Sequence, residues 1–230
     1  MGVRHDVRAA FSRRVFRSRL LPANRSFTVV SNNCWGAHLY QELGIEYLTP
    51  FVGLFLQPAC FLRLLEGWDR LMNERLGFAA VSKYESITEF RRAHGQKYPI
   101  GLLGGEVEVH FLHYDSERTA REKWARRRGR MAWDRERLFV KFCDHDGPSE
   151  GELRAFEQVA FPNRVCFVGQ MRQDLEHSIY VPGCDGQRVP DGLVLSRLSY
   201  RYFDAVDWLE GGEGRPKWWS RALGALGCFH

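Results

Sequence analysis

Three short polar strings carry side chains suited to chemistry: Asn32-Asn33-Cys34-Trp35-Gly36, His113-Tyr114-Asp115 and Asp144-His145-Asp146-Gly147. Cys34 falls just before a helix-compatible run, where a helix N-terminus would lower its pKa and favour the nucleophilic thiolate. His113 would then serve as general base, with Asn33 orienting it or holding an oxyanion, and Asn32, Trp35 and Tyr114 lining the substrate. The same residues also have a structural reading, in which Cys34 is a small buried side chain and the two asparagines cap the helix. Asp144 and Asp146 are the candidates for a divalent metal, since two carboxylates one residue apart at a strand end supply hard oxygen ligands side by side. Beside Gly147-Pro148 they equally suit a turn whose carboxylates cap backbone N–H groups, so no metal is assigned.

These strings need elements to position them. Phe27 to Ser31 is a β-branched and aromatic run that reads as a strand, followed by a helix from Trp35 to Leu43 that stops at Gly44. Pro58 to Leu76 carries an apolar helical stripe, and Glu106 to Leu112 alternates like a strand that ends at His113. Ser116 opens a helix on which Ala120, Trp124, Arg127 and Met131 recur on one stripe, so Arg127 is expected to be partly buried near an anion or carboxylate. Leu138 to Phe142, Val165 to Val168 and Ser178 to Val181 read as further strands, with a capping box from Ser149 to Glu152 between the first two. Strands alternating with helices predict a three-layer α/β/α fold around a largely parallel sheet. In such sheets ligands gather beyond the carboxyl ends of the strands, where the polar strings fall. The expected organisation is a basic arm over residues 1–25 and one α/β domain over 26–230.

Composition excludes several classes. The 230 residues are 44% hydrophobic and 27% charged, which suits a packed globular chain rather than a disordered one. Of the net charge of +5, residues 1–25 hold seven arginines against one aspartate, and residues 118–137 hold nine basic residues against three acidic ones. Basicity concentrated in two patches on an acidic body fits an anionic ligand or a membrane surface better than a nucleic-acid groove, so no nucleic-acid partner is expected. Residues 6–21 have the pattern of a basic amphipathic helix suited to peripheral membrane contact, or to a short arm packed on the domain. None of the six cysteines forms a C-x-x-C pair, and no secretory signal is apparent. A cytoplasmic protein is therefore expected. No glycine-rich dinucleotide or phosphate-binding fingerprint is present, and no cofactor is identified.

The string Ser31-Asn32-Asn33-Cys34-Trp35-Gly36 is followed by Tyr40, Leu43-Gly44 and Thr49 to Leu54. Tyr98 to Gly101, His113-Tyr114, Lys123-Trp124 with Arg127 and Arg130, and Phe203 to Leu209 come later. Over roughly residues 26–210 these resemble a bacterial family labelled exopolysaccharide or capsule biosynthesis protein, departing from it at Glu210, where asparagine is usual. The chain is more loosely similar to proteins classed as papain-like cysteine peptidases. The resemblance implies an enzyme of surface-polysaccharide assembly, a glycosyl or acyl transferase acting on a glycan or its precursor. Arg127 and Arg130 would bind an anionic group, and the arm would hold the enzyme near lipid-linked substrate. A cysteine-dependent hydrolase and a non-catalytic binding subunit are the alternatives.

Overall fold

The structure is a computed structural model that describes residues 26–184 and 186–215; the basic arm of residues 1–25 lies outside them. In chain order the elements are β1 (Thr28–Ser31), α1 (Trp35–Leu43), α2 (Pro58–Glu66), α3 (Trp68–Leu71), β2 (Gly77–Ala79), α4 (Glu85–Ala93), β3 (Ile100–Leu103) and β4 (Val107–His110). There follow α5 (Glu117–Arg128), β5 (Leu138–Cys143), α6 (Glu150–Glu157), β6 (Asn163–Val168), β7 (Ser178–Tyr180), α7 (Gly192–Leu198) and α8 (Ala205–Leu209). Strands β1, β5, β6 and β7 form a parallel sheet in that order.

Both faces of this sheet are covered, which is why β5 is buried along its whole length. Leu138, Val140 and Phe142 point to one face, where Phe142 stacks between Phe61 of α2 and Phe156 of α6. Phe139 and Cys143 point to the other, against α1, α7 and α8, where Trp35 meets Phe167, Phe203 and Trp208. The fold is thus α/β with helices on both sides of a parallel sheet. At the free edge of β1, Val29 N–H donates to the Tyr40 hydroxyl (3.1 Å) and Val29 C=O accepts from Thr49 Oγ1 (2.6 Å), so side chains satisfy what a neighbouring strand would. Helix α1 ends at Gly44, whose φ of 61° is a left-handed cap that glycine adopts without strain.

Two expectations change. The apolar stripe of Pro58 to Leu76 is two helices broken at Gly67, not one. Strand β4 does not join the parallel sheet; it pairs antiparallel with β3, and β3 with β2, in a separate three-stranded sheet. The segment 53–56 ties this small sheet to the end of β1. Phe55 and His110 exchange backbone hydrogen bonds (2.9 and 2.8 Å), Leu56 N–H donates to Asn32 C=O (2.8 Å), and His113 N–H donates to Gly53 C=O (3.1 Å). That stitch brings the end of β4 to the carboxyl ends of β1 and β5.

Candidate active site

Beyond β5, Asp144 is fixed by the backbone: its Oδ1 accepts from Val189 N–H (2.8 Å) and its Oδ2 from Gly169 N–H (2.7 Å). Both oxygens accept backbone N–H groups, but from the segments that follow β6 and precede α7 rather than from the turn itself. Among the described residues no group of three or more His, Cys, Asp or Glu side chains could hold a metal ion. Gly147, with φ of 72°, closes the turn and presents Asp146.

Asp146 reaches back across the sheet to the asparagines of the first string. Its Oδ2 accepts from Asn32 Nδ2 (2.7 Å) and Asn33 Nδ2 (3.1 Å). Beneath them, completely buried Lys141 donates from Nζ to Asn33 Oδ1 (3.0 Å) and to Cys143 Sγ (3.0 Å). Asn33 Nδ2 also donates to Cys143 Sγ (3.3 Å), and Asn33 Oδ1 accepts from Trp35 N–H (3.3 Å) at the start of α1. Burial pushes the Cys143 thiol up, opposed by Lys141. Asn33 is therefore a hinge pin between β5, the Asp146 turn and α1. Asn32 Oδ1 remains buried without a hydrogen-bond partner among the described residues, an uncommon state for an acceptor outside a binding site.

Cys34 precedes α1 as expected, yet its thiol is pushed up rather than down. Burial is the largest cause, opposed by Lys141, while the carboxylates of Asp146 and Asp191 add to the rise. Desolvation and two nearby carboxylates thus outweigh the helix terminus. The Sγ lies 4.0 Å from Leu54 C=O, and among the described residues it makes no hydrogen bond to His113. His113 is exposed, and its backbone N–H donates to Gly53 C=O. A further histidine, His38, stands four residues after Cys34 on α1, and its backbone N–H donates to Cys34 C=O (3.2 Å). Burial holds the His38 ring below the ordinary histidine range, against its contact with Gln41. The i, i+4 spacing was the available signal.

Asp146, His113 and Tyr114 line a cavity of about 810 Å³ whose other walls include Phe55, Phe90 and Tyr98, with Lys97 and Asp115 at polar positions. Cys34 is not among the lining residues. Trp35 does not line it either, because the turn of α1 directs its ring into the core beneath the opposite face. Tyr114 contributes its ring, while its hydroxyl donates to Val52 C=O (2.7 Å) and accepts from Arg127. Arg127 is buried as its place on the apolar stripe foretells, but it and Arg130 line a different cavity, with Tyr47 and Glu46.

The fold and site define an α/β protein with an aromatic-walled cavity whose lining carboxylate, Asp146, is hydrogen-bonded to the two asparagines that follow β1. Residues 4–210 match the family described as Domain of unknown function (DUF1919), and the chain belongs to that family. It is also 34% identical over 190 residues to an uncharacterized protein of Haemophilus influenzae, a span covering 80% of this chain and 84% of the relative. Among the described residues no helix is long and apolar enough to cross a membrane.

Proposed function

We propose that the protein is a transferase acting on a bacterial surface glycan or its precursor, with Asp146 as the carboxylate that engages the acceptor. The observation carrying this reading is the make-up of the cavity. Aromatic faces at Phe55, Phe90 and Tyr98 suit the apolar C–H face of a sugar ring, and Asp146, His113, Asp115 and Lys97 suit its hydroxyl edge. Asn32 and Asn33 hold Asp146 through one oxygen, and the other accepts a hydroxyl hydrogen bond. In the transfer step the acceptor oxygen forms the new bond, its proton passes to Asp146, and the donor's leaving group departs with the electron pair of the broken bond. A protonated Cys34 outside the cavity takes no part.

The test is to incubate the full chain with nucleotide sugars and capsule-type oligosaccharides and read acceptor mass. Product from wild type and Cys34→Ser, lost in Asp146→Asn, supports the reading; wild-type product that survives Asp146→Asn sinks it. A second reading, acyl transfer or hydrolysis through Cys34, is favoured by His38 one helical turn along α1. It requires Cys34→Ser to lose nearly all activity.

A further inference from the structure

The second cavity, of about 620 Å³, is lined by Arg126, Arg127 and Arg130 together with Gln41, Tyr47 and Glu46. We infer that it is a binding site for a phosphoryl group, whose oxygens pair with the guanidinium groups of Arg127 and Arg130. This site goes beyond the transfer reading and stands without it.

Arg127 is 8% exposed, yet among the described residues its hydrogen bonding is limited to the Tyr114 hydroxyl, and its Nε is buried without a partner. Arg130 Nε is buried without a partner as well. An unmet donor on a buried cation is costly, and Arg127 beside a cavity that Arg130 also lines is an arrangement completed by an oxyanion. The Tyr47 ring lies 5.1 Å from the Arg127 guanidinium carbon and holds that fork in place. A planar fork on a fixed guanidinium pairs with two oxygens of one phosphate, which a lysine in its place would not do. Three arginines face a single lining carboxylate, Glu46, which pairs with Arg130 from a side chain that is 66% exposed. Glu46 is thus an oxyanion already seated on Arg130, and it can swing to solvent when a stronger one arrives. The cavity differs in kind from the Asp146 cavity, whose walls are aromatic and whose lining aspartate Asp146 is already hydrogen-bonded to Asn32 and Asn33. Tyr114 separates them, its ring lining one and its hydroxyl meeting Arg127 at the other.

A soluble diphosphate and a phospholipid headgroup share this chemistry. Titration calorimetry of the full chain with inorganic pyrophosphate tests the first source, and flotation with phosphatidylcholine vesicles with and without phosphatidic acid tests the second. In whichever arm binds, Arg127→Gln and Arg130→Gln should each weaken binding at least about tenfold, and Glu46→Gln should tighten it by removing the competing carboxylate. All variants keep the basic arm, so a difference from wild type reports on this cavity. Arg130 and Glu46 sit near the surface, so their variants keep the test decisive if Arg127→Gln fails to fold. Equal binding by wild type, Arg130→Gln and Glu46→Gln, or no saturable binding in either arm, would overturn the inference.

Discussion

On the parallel-sheet side of the Asp146 cavity, Lys141 is fully buried with two hydrogen-bond acceptors at 3.0 Å, and through Asn33 it is linked to a carboxylate in the cavity wall. On the small-sheet side His110 is just as buried, yet among the described residues neither ring nitrogen has a hydrogen-bond partner. Its Nε2 lies 3.4 Å from Glu108 Oε2 without hydrogen-bond geometry, and Glu108 is instead satisfied by Ser82 Oγ and Lys83 N–H (both 2.6 Å). Phe55 and Tyr98, which line the cavity, cover His110 with their rings. The difference teaches that burial of a charge-bearing side chain does not by itself mark a site. What marks it is a chain of satisfied polar groups that ends on an atom a ligand can reach.

The largest effect should come from Lys141→Met. It removes the charged donor from Asn33 Oδ1, which keeps Trp35 N–H, and from Cys143 Sγ, which keeps Asn33 Nδ2, and the two lost hydrogen bonds to a charged group should cost roughly 3–5 kcal/mol in guanidinium unfolding. A loss under about 1 kcal/mol would mean the network is not a unit. Next is acid sensitivity from His110. Burial lowers its pKa from 6.5 to about 4, against the raising effect of Glu108 and with Arg91 adding to the fall. Between those values the unfolded chain binds the proton and the folded one does not, so this contribution is present above pH 6.5 and is lost as pH falls toward 4. The loss is on the order of 3 kcal/mol, and His110→Leu should flatten that part of a stability–pH curve. Ser82→Ala removes one of two donors to buried Glu108 and should cost about 1–2 kcal/mol by the same unfolding measurement. Cys34→Ser should shift stability by less than about 1 kcal/mol, since the thiol's only hydrogen-bonding contact among the described residues is 4.0 Å long. Alkylation of Cys34, read site by site by mass spectrometry, should accelerate only above the ordinary thiol range.

Much of the parallel sheet was legible, because Thr28 to Ser31 and Leu138 to Cys143 are β-branched and aromatic runs that stand out by composition alone. Helix α1 was legible from Trp35 to its glycine stop. The small sheet was not: β2 has three residues, and the partner of β4 depends on non-local pairing that periodicity does not encode. Helix α4 was overlooked because it buries none of its residues. Within the site, the convergence of the Asn32-Asn33 and Asp146 strings followed from their places at strand ends. Lys141 left a signal that went unread, a lone cation inside the apolar run Leu-Phe-Val-Lys-Phe-Cys. The burial that pushes the Cys34 thiol up and the inward turn of Trp35 depend on what packs around α1, including Asp191 and the Phe167 and Trp208 rings, all distant in sequence.

The most direct measurement is saturation-transfer NMR of a capsule-type oligosaccharide panel against the full chain, its Asp146→Asn variant and its Phe90→Ala variant. The account predicts transfer to at least one saccharide in the wild type, weakened by each substitution, because one removes the carboxylate edge and the other the aromatic face. Undiminished transfer in both variants, or none to any saccharide in the wild type, would contradict it.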